Sequence, residues 1–172
     1  MGSVIPSSRY LARKIAKLIP KQHMSYRVIE LGAGTGVITK AMLREGIPHH
    51  QITLVENSED LARSLKEVFP QIEIIQGNAK NLIDLLHHNI ANINTIVSSI
   101  PMLNLKPEEQ EAIATQVEKI LPLGGIYIQY TYGTAPSIFE ARTTFKKISS
   151  KRIWLNFPPA RVDVFKRTSK TN

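Results

Sequence analysis

Short apolar stretches that alternate with helical patterns constrain this chain more than any other feature. Residues 27–31, 51–56, 72–75, 95–98 and 126–130 are short and rich in β-branched side chains, and read as buried strands. Helical spacing fills the intervals at 35–44, 59–68, 79–87 and 107–121, the last opened by Pro107, whose missing N–H costs nothing in a first turn. Strands joined through helices pair in parallel and are covered on both faces. After the fifth strand the pattern changes: residues 147–156 and 161–166 lean to β on either side of Phe157-Pro158-Pro159, with no helix between them. The expected fold is therefore α/β and Rossmann-like: a mostly parallel seven-stranded sheet with a C-terminal antiparallel hairpin and helices on both faces. Residues 1–172 are expected to form a single domain.

Ahead of the first strand, residues 7–19 read as a helix capped by Ser7 or Ser8 and stopped by Pro20. Leu11, Ile15 and Leu18 follow helical spacing, while Arg9, Arg13 and Lys17 recur on another face, which makes the helix basic and amphipathic. That pattern suits a domain helix with a solvated face and a membrane-surface helix alike. Lys and Arg number 22 against 14 Asp and Glu, and the resulting charge of +8 favours anionic partners. With no cysteine, disulfides, thiolate metal sites and cysteine nucleophiles are excluded, and a cytosolic location is suited. No apolar run approaches the ~20 residues needed to span a bilayer. The pairs His49-His50 and His87-His88 lack metal-ligand spacing and read as exposed turn residues, so no metal is expected.

The end of the first strand carries Glu30-Leu31-Gly32-Ala33-Gly34-Thr35-Gly36. Ligands of open parallel sheets bind outside the carboxyl ends of the strands, and glycines there let the backbone turn tightly and offer N–H groups at a helix start. A dinucleotide fingerprint would have its third glycine at Val37 instead of Gly36. Glu30 would be awkward beside a pyrophosphate but suits a ligand with an ammonium and a sulfonium. Glu56, at the end of the second strand, is placed to chelate two ribose hydroxyls. S-adenosyl-L-methionine satisfies all of these demands, with Glu30, Gly32, Gly34, Thr35, Gly36 and Glu56 as its binding residues. Asn78 and Ala79, after the third strand, are expected beside the adenine, although Asn78 serves equally well as a helix N-cap.

Methyl transfer from a sulfonium is an in-line displacement whose leaving group needs no acid, so the protein must align a neutral nucleophile and accept its proton. Ser98, at the end of the fourth strand, is expected to face the methyl group. The turn Ser98-Ser99-Ile100-Pro101 lacks the Asn and the aromatic residue that adenine methyltransferases place there, which disfavours a flat base. Tyr130 and Tyr132 fall on one face at the end of the fifth strand. Their π faces suit a cationic amine, and packing beneath the next helix fits the spacing equally.

Several motifs resemble those of the bacterial phospholipid N-methyltransferases of the soluble, membrane-associated type, relatives of the rRNA adenine dimethyltransferases. They are Ile5-Pro6-Ser7-Ser8-Arg9, the stretch from Val28 to Val37, the stretch from Val97 to Leu103, Gln129-Tyr130-Thr131-Tyr132-Gly133, and Asn156-Phe157-Pro158-Pro159-Ala160 with Arg161. The resemblance implies a class I methyltransferase that methylates the amine of phosphatidylethanolamine and its methylated intermediates at the cytoplasmic face of a membrane. It implies that Tyr130, Tyr132 and Ser98 serve the reaction and that Arg9 and, more weakly, Arg142 contact the lipid phosphate. The basic helix would attract an anionic phospholipid surface while its apolar face seats on the bilayer. Nucleic acid is the disfavoured partner, with rRNA adenine N6-methylation as the alternative reaction. Three positions depart from the family's usual residues: Asn78 for Asp, Ser99-Ile100 for Gly-Leu, and Asp163 for an aromatic. Family members also carry a membrane-lying segment ahead of the Pro6-Ser7-Ser8-Arg9 motif, which here stands almost at the start of the sequence.

Overall fold

The computed structural model describes residues 6–21, 25–87, 89–154 and 159–169. Helix α1 (Pro6–Ala16) precedes strand β1 (Arg27–Leu31), followed by α2 (Val37–Arg44), β2 (Ile52–Glu56), α3 (Glu59–Val68) and β3 (Glu73–Gln76). Then come α4 (Leu82–Leu85), β4 (Ile93–Ser98), α5 (Pro107–Ile120), β5 (Ile126–Thr131), β6 (Phe145–Ile153) and β7 (Ala160–Arg167). The strands form one seven-stranded sheet in the order β3-β2-β1-β4-β5-β7-β6. Pairing is parallel from β3 to β5, and β7 runs antiparallel to both β5 and β6. The expected mixed sheet and terminal hairpin are thus present. Strand order reverses between β1 and β4, which opens a crevice at their carboxyl ends.

Two apolar clusters cover the sheet. One joins Val28, Leu54, Val97, Ile128 and Val164 to α1, α2 and α3, with Leu11, Ile15, Met42 and Leu65 among its buried members. The other joins Ile29, Leu31, Ile96, Tyr127 and Phe165 to α4 and α5 through Leu82, Ile113 and Val117. Successive residues of each strand alternate between these clusters, so the phase of a strand decides which side of the crevice its last side chains line.

Several boundaries differ from expectation for local reasons. Helix α1 stops at Ala16 and tightens, with Leu18 N–H bonding Ile15 O at 2.9 Å. Helix α2 begins at Val37 because Gly36 is left-handed, φ 76°. The expected helix at 79–87 is a 3₁₀ turn (Ala79–Asn81) followed by the single turn of α4. Strand β6 starts earlier than expected, at Phe145, and a bulge between Lys147 and Ser149 resets its pairing with β7. Most of the expected hairpin turn at 157–159, and His88, lie outside the described residues. His49, His50 and His87 are exposed, as expected.

Helix α1 corrects one expectation outright. Leu11, Ala12, Ile15 and Ala16 are 0–3% exposed against the sheet. Burial of each Leu or Ile is worth about 1.5–3 kcal/mol, and a bilayer could do no better than match it. The apolar face of α1 is core, while Arg9, Tyr10, Arg13 and Lys14 face outward.

Candidate active site

The glycine turn sits at the carboxyl end of β1, and its three glycines have φ of 69°, 57° and 76° at Gly32, Gly34 and Gly36. Their reasons differ. A Cβ on Gly36 would stand 2.5 Å from the Phe69 ring, so that glycine seats α2 against α3. A Cβ on Gly34 would meet nothing closer than Gly32 O at 3.9 Å, since it points into the open crevice. The Gly34 N–H instead donates to Glu56 Oε2 at 2.8 Å, and Ser58 N–H donates to Glu56 Oε1 at 2.9 Å. Both bonds hold the carboxylate at the end of β2.

Glu56 lines a cleft of about 190 Å³ with Gly32, Asn78, Ala79, Ile100, Leu105 and Ile113. Asn78 Oδ1 accepts from Lys80 N–H at 3.0 Å and caps the following turn, which leaves its amide nitrogen for a ligand. Ile100, Leu105 and Ile113 give the cleft an apolar wall suited to a flat ring, and the Lys80–Glu109 ion pair at 3.2 Å joins its rim to α5. Neither the wall nor the ion pair was foreseen from the sequence, since both come from elements brought together only by the fold. Thr35 is exposed at the top of the turn.

Glu30 lies on the same face of β1 as Val28 and is 1% exposed. Its Oε2 accepts from the Thr39 hydroxyl at 2.6 Å, whereas Oε1 has no partner. Burial pushes its carboxyl up to about 8, with the charge of Glu56 adding and the Thr39 bond opposing. A buried carboxyl with an unmet oxygen fits a cationic ligand, whose arrival restores the charged form. Glycines with an open cradle, a held ribose-type carboxylate and this acid together fit S-adenosyl-L-methionine: Glu56 would take the ribose, Asn78 and Ala79 the adenine, and Glu30 the positive end.

A second cleft of about 310 Å³ adjoins the ends of β4 and β5, lined by Ser99, Pro101, Met102, Leu103, Asn104, Tyr130, Thr131 and Tyr132. Tyr130 and Tyr132 meet edge to face, ring centres 5.8 Å apart, and Tyr132 is 52% exposed. Burial, aided by the neighbouring Tyr132 phenol, raises Tyr130 above its ordinary value, so it stays a neutral phenol at physiological pH. Glu30 is near enough to add to that shift, which sets the acid between the two clefts.

Ser98 is a correction. It is fully buried, pairs in register with Gln129, and faces Tyr127 on the α4–α5 side of the sheet. Its hydroxyl accepts from the backbone N–H of Ile100, a wall residue of the first cleft, at 3.4 Å, and Ser98 itself lines neither cleft. The second cleft holds the next residue instead: Ser99, with a buried hydroxyl beside the Tyr130 phenol. The missed signal was strand phase, because Glu30 pairs with Val97 and so puts Ser98 on the opposite face. Arg142 is also corrected. It does not line the tyrosine cleft, and its guanidinium pairs with Glu111 and Glu118, tying the segment ahead of β6 to α5. Arg9 lies outside the tyrosine pocket, in a basic groove between α1 and α2 with Arg13, Lys40 and Arg44.

The family described as methyltransferase domain matches residues 28–125, more than half of the chain. An ornithine lipid N-methyltransferase of Singulisphaera acidiphila is 29% identical over 93% of this chain and 85% of its own length, in line with the resemblance to bacterial lipid N-methyltransferases. A ribosomal RNA small subunit methyltransferase A of Porphyromonas gingivalis is 31% identical, but over only 48% of this chain and 29% of that relative. In structure, the chain is similar to the Burkholderia thailandensis 1,6-didemethyltoxoflavin-N1-methyltransferase with bound S-adenosylhomocysteine. The TM-score is 0.71 at 15% identity, with 94% of this chain and 79% of that one covered. The sheet, the fitted cradle and the family match converge: the chain belongs to the methyltransferase-domain family, as a class I enzyme with S-adenosyl-L-methionine as its cofactor.

Proposed function

We propose that this methyltransferase acts on the primary amine of a membrane-lipid headgroup, phosphatidylethanolamine and its methylated intermediates above all. The observation that carries this reading is the pair of phenols on the wall of the second cleft, half-buried at Tyr130 and exposed at Tyr132. Their π faces attract an amine more strongly as methyl groups accumulate and the cation becomes permanent. When bound, the cofactor supplies an electrophilic methyl group on a sulfonium. The protein holds the amine against the faces of the tyrosine rings and orients it toward Glu30, while Met102 and Leu103 limit water. The neutral Tyr130 oxygen, with Ser99 beside it, is the acceptor for an amine N–H. Glu56, Glu30, Gly32, Gly34, Thr35, Gly36, Asn78 and Ala79 form the cofactor side. The likeness to a protein named for ornithine lipid supports a lipid amine in general, and ornithine lipid offers the same primary amine. Peripheral attachment to an anionic inner membrane face belongs to this reading. No helix among the described residues is long and apolar enough to cross a membrane.

The test is transfer of labelled methyl groups to vesicles of phosphatidylethanolamine, to ornithine lipid and to ribosomal RNA in parallel. Label in phosphatidylethanolamine supports the reading, label in ornithine lipid alone changes the headgroup, and label confined to RNA refutes it.

A further inference from the structure

With Leu11, Ala12, Ile15 and Ala16 of α1 buried, that apolar face is not free to enter a bilayer, and the apolar side chains exposed elsewhere come into question. The exposed large apolar side chains among the described residues are Tyr10, Val68, Leu123, Tyr132, Ile148 and Trp154. Two of these, Ile148 and Trp154, stand on or at the end of β6, the edge strand of the sheet. Trp154 is 70% exposed and is the only tryptophan of the chain. The same strand carries Lys146, Lys147, Lys151 and Arg152, and no acid occurs between Arg142 and Trp154.

Lysines and a bulge are ordinary protection for an open sheet edge. Edge protection leaves two facts unexplained. Lys146 lies directly opposite Lys166, and Arg152 directly opposite Arg161. Like charges in that relation repel. Lys147 is paired with Glu140 at 3.0 Å and Arg161 with Asp163 at 2.8 Å. Among the described residues, Lys146, Lys151, Arg152 and Lys166 have no acidic partner. An edge that needed only solubility would also not hold out an indole.

Position gives the patch its meaning. Strand β6 runs in the same direction as β5, so its last residues reach the same end of the sheet as Tyr130 and Tyr132. Arg152 lies over the Trp154 ring at 5.8 Å. Its neighbour Arg161 donates to Thr134 O at 3.1 Å and Ala135 O at 2.7 Å, in the loop that leaves Tyr132. The cation–indole pair therefore lies at the same end of the sheet as the tyrosine pocket, tied through Arg161 to the loop that leaves Tyr132.

We propose that the β6 edge is the bilayer contact: Trp154 enters the headgroup layer of an anionic membrane while Lys151 and Arg152 meet its lipid phosphates. Tryptophan favours the membrane–water boundary, and basic residues near an anionic surface are attracted to it. The inference rests on the lipid-amine reading, since it explains how that pocket meets a headgroup.

Because Trp154 is unique, its own fluorescence reports contact without any turnover. The full chain is mixed with vesicles of phosphatidylcholine and phosphatidylglycerol, and with phosphatidylcholine alone. Emission shifts to the blue with the anionic vesicles and is quenched by lipids brominated near the headgroup. Lys151→Ser with Arg152→Ser lowers vesicle partitioning roughly 30-fold and leaves methyl transfer to detergent-dispersed phosphatidylethanolamine unchanged. Emission unmoved by anionic vesicles overturns the proposal, as does a shift produced by RNA but not by vesicles. If the dispersed lipid is still methylated, only the contact surface falls. A vesicle-induced shift without lipid methylation in any form keeps the surface and refutes the lipid-amine reading.

Discussion

On the β1–β3 side of the crevice the ligand cradle is mostly backbone: left-handed glycines, a Gly34 N–H aimed at Glu56, and a cap at Asn78. On the β4–β5 side it is mostly side chains: two tyrosines, a buried serine and the apolar Met102 and Leu103. Backbone recognition tolerates little variation, since a glycine at positive φ has few substitutes. Side chains at strand ends can change without disturbing the sheet. On the proposed reading, the first half holds the cofactor and the second half sets the acceptor.

The strongest way to break this division is Gly34→Asp. The fold has room for the side chain, but the new carboxylate would occupy the cradle beside Glu56. Cofactor affinity should fall by more than about 100-fold, the loss expected when a like charge worth at least about 3 kcal/mol is introduced, while stability falls only by the left-handed strain at φ 57°, about 1–2 kcal/mol. By contrast, Gly36→Ala should unfold the chain more easily, because its Cβ collides with Phe69. Comparable melting losses in both would show that Gly34 is structural as well.

Asp163 sharpens the acceptor half. It is 1% exposed and holds Arg161 Nε at 2.8 Å and Ser150 Oγ at 2.6 Å, where the resembling family has an aromatic. Through Arg161 it steadies the loop after Tyr132. Asp163→Ala should cost about 3–5 kcal/mol in denaturant unfolding, as removal of one partner strands the other. A loss below about 1 kcal/mol would mean that the pair is dispensable.

Glu30 tests the boundary between the halves through pH. Its folded value of about 8 lies above the ordinary 4.5, so the native state retains a proton that the unfolded state has already lost. Stability of the free protein should therefore fall as pH rises from 4.5 to about 8, and level off above. Glu30→Gln should be more stable than the parent at the alkaline end, by on the order of 1–3 kcal/mol, and nearly equal at the acid end. A parent whose melting temperature rises across that window would contradict the burial argument. The smallest effect is expected from Arg142→Ala: methyl transfer per folded molecule should be unchanged, with about 1–2 kcal/mol of stability lost from its ties to α5. A raised KM for the acceptor would restore Arg142 to the site.

How far the sequence reached follows from the same contrast. Alternation of apolar runs with helical spacing defined the sheet and hairpin, and the glycine spacing defined the cradle, because both are written in consecutive residues. The contact between Tyr130 and Tyr132 was legible through period-two alternation at the end of β5. Ser98 was misread because its face depends on the register of β4 against β1, a relation between residues about seventy positions apart. The ion pairs of Arg142 were not legible because its carboxylate partners sit on α5, nor was the cover of the α1 apolar face, because amphipathicity does not say whether a core or a bilayer provides it.

The division between the halves is tested most directly by Tyr130→Ala with Tyr132→Ala, measuring calorimetric affinity for S-adenosyl-L-methionine and the rate of methyl transfer to phosphatidylethanolamine on the same preparation. Cofactor affinity should stay within about threefold of the parent while the transfer rate falls by about 100-fold, roughly the loss of two aromatic contacts to a desolvated cation. Cofactor affinity that falls in step with the rate, or a rate that does not fall, would contradict that division.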